Sequence, residues 1–226
     1  FLFIRFYIFI VCTSYIKSGI KLFFLRDLIL KEARSFGKHG WGIVGSSFLI
    51  NMFSVGIPFY AYSVFYIHLQ NEFDASRFLI SSTLSIMIIA AGVFAPICGQ
   101  LVDKFSLKNI LSIGAIIFGC GLILLGFAES YFQFLIIYGT LVALGMTLFG
   151  NLATAKLISN WFKKKIGSAI GFAALGISLS GVFIPPITVY LISLYGWRVT
   201  YIIFGLFLIL FFVPFCRKIV NNPSDI

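Results

Sequence analysis

The chain has 226 residues, is 60% hydrophobic and only 11% charged, and has a mean hydropathy of +1.06. So few charged groups cannot cover a water-exposed surface, which excludes an ordinary soluble domain. The net charge of +10 is spread between apolar runs instead of forming a stripe, so it reads as topogenic charge and no nucleic-acid partner is expected.

Residues 1–39 are the least regular part. The stretch 6–16 is apolar but short, and 20–30 is interrupted by Lys21, Arg26 and Asp27. This segment is expected to be cytoplasmic or interfacial, or an extension outside the fold. A helix needs about 20 apolar residues to cross a hydrocarbon core about 30 Å thick. After Lys38, six stretches long enough carry no Asp, Glu, Lys or Arg: 39–71, 78–102, 109–128, 130–155, 166–197 and 199–216. They do not alternate as barrel strands would, so each is read as one helix. Spans are predicted over about 41–68, 78–101, 109–128, 132–155, 167–194 and 199–216, forming a bundle over 40–216. Residues 217–226 read as the start of a cytoplasmic central loop. The chain begins on Phe1 and ends on Pro223-Ser224-Asp225-Ile226, so a fragment is expected.

The connectors set the orientation. Lys31, Arg34, Lys38, Lys104, Lys108, Lys163, Lys164, Lys165, Arg217 and Lys218 all fall on one side of such a bundle. The other side has Arg77 and Arg198 with Glu72, Asp74 and Glu129. Positive charge stays inside, so both ends are expected in the cytoplasm, and the protein in the inner or plasma membrane.

No Walker loop, G-x-S-x-G or H-E-x-x-H is present, so no enzyme is expected. Cys12, Cys98, Cys120 and Cys216 lie singly in apolar stretches, and the only histidines are His39 and His68. Neither a metal site nor a cofactor is expected.

The loop between the second and third spans reads Gly99-Gln100-Leu101-Val102-Asp103-Lys104-Phe105-Ser106-Leu107-Lys108. It resembles the G-x-L-x-D-R-x-G-R-K signature of the major facilitator superfamily. Gly99, Leu101, Asp103 and Lys108 match, and Lys104 keeps the charge of the Arg. Ser106 and Leu107 depart from Gly and Arg, which predicts a slacker turn with one cation fewer. Trp161-Phe162-Lys163-Lys164-Lys165-Ile166-Gly167 resembles the W-F-x-x-R-R-G segment before span 5 in monocarboxylate and oxalate–formate carriers. Gly40-Trp41 and Gly196-Trp197-Arg198 resemble the segments that open spans 1 and 6 there. The resemblance implies an all-α membrane protein. Its six transmembrane helices would form two inverted three-helix repeats, half of a twelve-helix facilitator. The implied function is secondary transport of a small organic anion by alternating access. Its partners would be the small-molecule substrate, the bilayer and a carboxyl-terminal six-helix half.

Within that frame, Gly99, Leu101, Asp103, Lys104 and Lys108 are expected to form a conformational latch. A carboxylate at a helix end accepts hydrogen bonds from a helix amino-terminus or pairs with a cation. Asn51, Tyr62 and Asn151 are candidates to line the substrate cavity, because polar groups inside a membrane need a partner or a cavity; interhelical hydrogen bonding is their other reading. Gly167, Gly171, Gly176 and Gly181 form a thin face for helix packing or gating. Lys156 is expected to snorkel to the interface, with gating as the alternative. Monocarboxylate carriers often place a lysine after a proline in span 1, but here Pro58 precedes Phe59. The rival from another class is a complete six-span scaffold or assembly subunit without transport.

Overall fold

The structure, a computed structural model, describes residues 37–162 and 166–219. The segment expected upstream and the loop over 220–226 lie outside the described residues. The chain divides into two units after Trp41, within the first helix, and the second, from Gly42 onward, holds the rest of that helix and all later ones.

The first helical run begins as α1 (Gly37–Val55), widens into a π-helical turn over Gly56–Ala61 and continues as α2 (Tyr62–Phe73). Pro58 is the reason for the widening, because it brings no N–H and its ring crowds the carbonyl one turn back. The run ends where Asp74 adopts φ 45°, a left-handed conformation that Asp tolerates. Ser76 caps α3 (Arg77–Lys104), its hydroxyl accepting from the Leu79 N–H at 3.4 Å. Two residues later comes α4 (Leu107–Gly126).

The fourth run consists of α5 (Tyr131–Ile137), a second π turn over Tyr138–Val142, α6 (Ala143–Phe149) and α7 (Asn151–Trp161). Between α6 and α7, Gly150 leaves the helical region at φ −98°, ψ −142°. The last run holds α8 (Ile166–Phe207), a third π turn over Leu208–Phe212 and α9 (Val213–Ile219).

Among the described residues, five runs are long and apolar enough to cross a membrane: Gly42–Phe73, Arg77–Lys104, Leu107–Gly126, Tyr131–Trp161 and Ile166–Lys218. The last contains 53 residues, which as one straight helix would be about 80 Å long. It is not straight. Gly196 sits inside α8 at φ 79°, ψ 168°, a conformation open to glycine and strained for other residues. The helices extend past the predicted spans, α2 to Phe73 and α7 to Trp161. Glu72 and Lys156 ride on these extensions because a helix stays helical as its ends leave the hydrocarbon.

α4 is the centre of the bundle and packs along α6, α8 and α9. Its apolar window is 61% buried, against 17% for α3, which lies outermost. Close approach depends on missing side chains. A Cβ on Gly114 would meet the Leu148–Phe149 backbone at 2.7 Å, and one on Gly119 would meet the Gly205 carbonyl at 2.7 Å. Phe78, Ile89, Val93 and Leu210 point outward, the arrangement a lipid solvent favours.

The four glycines of the expected thin face divide into two pairs. Gly176 and Gly181 pack on the first run, against the Phe48 carbonyl and the Tyr60 ring, whereas a Cβ on Gly167 or Gly171 would meet nothing within 4 Å. Gly176→Ala should therefore destabilise the chain by about 1–3 kcal/mol through overpacking. Gly171→Ala should stay within about 0.5 kcal/mol of the parent. Thermal unfolding in detergent compares them, and equal shifts would refute this packing.

Candidate functional site

Three polar constellations stand out in the bundle. The first lies at the α3–α4 loop. α3 ends as Phe105 turns extended (φ −112°, ψ 162°), and the Ser106 carbonyl receives the Asn109 and Ile110 N–H groups at 3.0 and 3.1 Å. The connection is only two residues long. The slack expected from the Ser106 and Leu107 departures is absent, because Ser106 needs no glycine conformation (φ −61°, ψ 129°) and Leu107 is buried in the core.

Asp103, on the last turn of α3, accepts from the Lys156 ammonium on α7 at 2.7 Å. The pair joins residues 53 apart in sequence. Both side chains are substantially exposed, 42% for Lys156 and 65% for Asp103, so the ion pair is weak, about 0–1 kcal/mol. Leu101 faces an apolar cleft shared with Phe105, Asn109, Ile110, Ile113 and Leu148. Gly99 has open space around it, Lys104 is exposed, and Lys108 sits half-buried on the first turn of α4.

The second constellation is buried where α1, α7 and α8 meet. Asn51 is 1% exposed. Its amide nitrogen donates to the Ala173 carbonyl at 3.3 Å, and its oxygen accepts from the Thr154 hydroxyl at 3.0 Å. Thr154 also reaches the Asn151 carbonyl at 3.1 Å. The hydroxyl has one proton, so this contact is an alternative to the one with Asn51, and Asn151 itself is exposed. It opens α7 at the Gly150 break. Tyr62 is not part of this group. It is buried, and its hydroxyl donates to the Ile80 carbonyl at 2.6 Å.

The third lies at the opposite end of the bundle from the α3–α4 loop. Arg198 donates to the Ala128 and Gly126 carbonyls at 2.8 and 3.3 Å and pairs with Glu72 at 3.0 Å. Its guanidinium lies over the Trp197 ring at 4.6 Å. It therefore ties the ends of α2 and α4 to α8. Nearby, Tyr62, Tyr66 and Tyr131 donate to the carbonyls of Ile80, Arg77 and Leu79, fastening the first turn of α3. Sequence reasoning treated Arg198 only as a topogenic charge within G-W-R. The available signal was Glu72, an opposite charge on the same side of the bundle.

Among the described residues no three His, Cys, Asp or Glu side chains converge as a metal site would require. What the constellations offer is polar contact between helices, two of them at the ends and one inside.

A sequence model of the Major Facilitator Superfamily matches residues 47–225. The chain belongs to the major facilitator superfamily. It is 30% identical over 173 residues to rat (Rattus norvegicus) monocarboxylate transporter 4, covering 75% of this chain and 36% of that protein. It is 27% identical over 174 residues to the uncharacterized MFS-type transporter YcxA of Bacillus subtilis (strain 168), covering 76% of this chain and 43% of that one. The chain thus spans less than half the length of these relatives. Among solved structures, a bacterial homolog of the human lysosomal transporter Spinster, inward-facing and unoccupied, superposes with a TM-score of 0.68. At 18% identity over 83% of this chain and 44% of that one, the likeness is one of fold. This superfamily member is therefore an integral membrane protein built from apolar helices.

Asn51→Ala should cost about 1–2 kcal/mol, because it strips two buried interhelical hydrogen bonds. Asn151→Ala should change stability by less than about 0.5 kcal/mol. Thermal unfolding of the purified variants checks both, and an equal loss at the two positions would remove Asn51 from the role of interhelical bridge.

Proposed function

We propose that this chain is the amino-terminal six-span half of a secondary carrier that moves a small organic anion by alternating access. The observation that carries the reading is the ion pair between Asp103 and Lys156, formed by the signature loop across two helical runs. It supplies a contact that holds one arrangement of the helix ends and is weak enough to open in another.

Six crossings follow if Gly196 is a reversal, since 166–195 and 197–218 are each long enough to cross. The first three spans and the last three then form two inverted repeats, a bundle over residues 40–216. Lys104, Lys108, Arg217 and Lys218 fall on one side in this arrangement, which supports both ends lying on the cytoplasmic side of an inner or plasma membrane. A small monocarboxylate is the first substrate to test, because 30% identity links the chain to a monocarboxylate transporter. The described spans hold no mid-membrane cation of their own, so an anion's counter-charge would come from the second six-helix half. Asn151, exposed beside the Gly150 break, is the cavity-lining residue this reading retains. Asn51 and Tyr62 act through the helices they fasten, and Gly176 and Gly181 let those helices approach.

The test is uptake of labelled lactate into liposomes containing the full-length protein. Asp103→Asn and Lys156→Met should each lower the initial rate about two- to fivefold without loss of membrane insertion. The double variant should be no worse than either single one, since both remove the same contact. Losses that multiply would break the latch. If the reading frame ends near Ile226 and no solute is taken up, the six-span scaffold becomes the better reading.

A further inference from the structure

Two of the three widened turns touch each other. The first, Gly56–Ala61, has Gly56, Ile57, Pro58 and Ala61 buried; the second, Tyr138–Val142, has Tyr138, Gly139 and Val142 buried. One hydrogen bond joins them, from the Tyr138 hydroxyl to the Pro58 carbonyl at 2.7 Å, between buried groups 80 residues apart. A widened turn has irregular backbone pairing, and in a bilayer no water completes it. A phenol supplied by the neighbouring helix is an added donor for such a turn.

The surroundings fix that phenol in place. The Tyr138 ring stacks on Phe134 at 5.5 Å and lies 5.2 Å from Tyr62. Phe134 also meets Tyr201 edge-on at 6.0 Å, and Tyr201 stacks on Phe65 at 3.9 Å. The hydroxyl of Tyr201 is buried without a hydrogen-bond partner. Tyr138 and Tyr201 thus share one aromatic cluster with equal burial, and of these two only Tyr138 holds a backbone carbonyl.

We propose that Tyr138 is a positioning residue whose hydroxyl couples the widened turn of the first run to that of the fourth, so that the two helices carrying Asn51 and Asn151 bend together. The coupling stands on the geometry alone; its consequence for transport rests on the carrier reading above.

Hydrogen exchange of the full-length protein in nanodiscs tests the coupling without any substrate. Tyr138→Phe keeps the ring and removes the donor. It should speed exchange about three- to tenfold at the amides of residues 57 and 59–63 and, in step, at 138–142. Tyr201→Phe, the same deletion in the same cluster, should stay within about twofold. Unchanged exchange in Tyr138→Phe, acceleration confined to one of the two turns, or an equal effect in Tyr201→Phe would each overturn the proposal. Lactate uptake supplies the second readout. Tyr138→Phe should lower the maximal rate about threefold or more with KM within about twofold, and Tyr201→Phe should alter neither. A rise in KM alone would reject the positioning role. A parent protein that takes up no lactate would count against the carrier reading for this anion, and the exchange comparison would still decide the coupling.

Discussion

Hydrocarbon offers no hydrogen-bond partner, so a polar group carried into the bilayer is best satisfied inside the bundle, and among the described buried side chains only the hydroxyls of Ser47 and Tyr201 lack a partner. The simplest solutions are local. Thr147, Thr188 and Thr200 each return their hydroxyl to the carbonyl four residues earlier, at 2.7 Å in every case. Larger departures need help from another helix. Pro58 widens its turn, and the Tyr138 hydroxyl arrives at its carbonyl. Asn51 has both a donor and an acceptor to satisfy, and α8 and α7 provide one partner each. The same rule explains why glycine is placed where backbones cross. At Gly114 and Gly119 in α4 a Cβ would fall on backbone atoms of the neighbouring helix. Helices that attract one another mainly by van der Waals contact must come close to gain from it.

Much of this was written locally enough to be read without coordinates. A stretch free of Asp, Glu, Lys and Arg needs no partner to announce a membrane helix, and the predicted spans are helical except at Gly150 and at the 127–128 end of the third. The signature loop was legible for the same reason, because its residues are consecutive. Gly196 carried its meaning in the triplet Gly196-Trp197-Arg198, and the structure finds a positive φ there. Boundaries were less legible. Charge marks where hydrocarbon ends, whereas a helix ends where its hydrogen bonds do, which is why α7 continues past Lys156 to Trp161.

Pairings across the bundle were not legible. Asp103 could be named as an acceptor waiting for a cation, but nothing in sequence singled out Lys156 over the lysines around it. Asn51, Tyr62 and Asn151 looked equivalent as polar residues within apolar runs. The fold separates them: Asn51 bridges three helices, Tyr62 fastens the start of α3, and Asn151 keeps an exposed side chain. The π turns were hidden as well. Pro58 flags the first, but Tyr138–Val142 and Leu208–Phe212 contain no proline at all.

The two ends of the bundle are held by different means, and the difference has an energetic consequence. At the α3–α4 loop, an exposed ion pair is among the contacts that join α3 to α7. Its two charges are almost as well solvated apart as together, so opening it costs little. At the other end Arg198 binds two backbone carbonyls as well as a carboxylate, and three tyrosines fasten the first turn of α3. Releasing Arg198 would strand carbonyls at helix ends that have few other donors. Contacts to backbone cannot be exchanged for solvent as cheaply as contacts between mobile side chains. The Asp103–Lys156 contact is therefore cheaper to break than the contacts of Arg198.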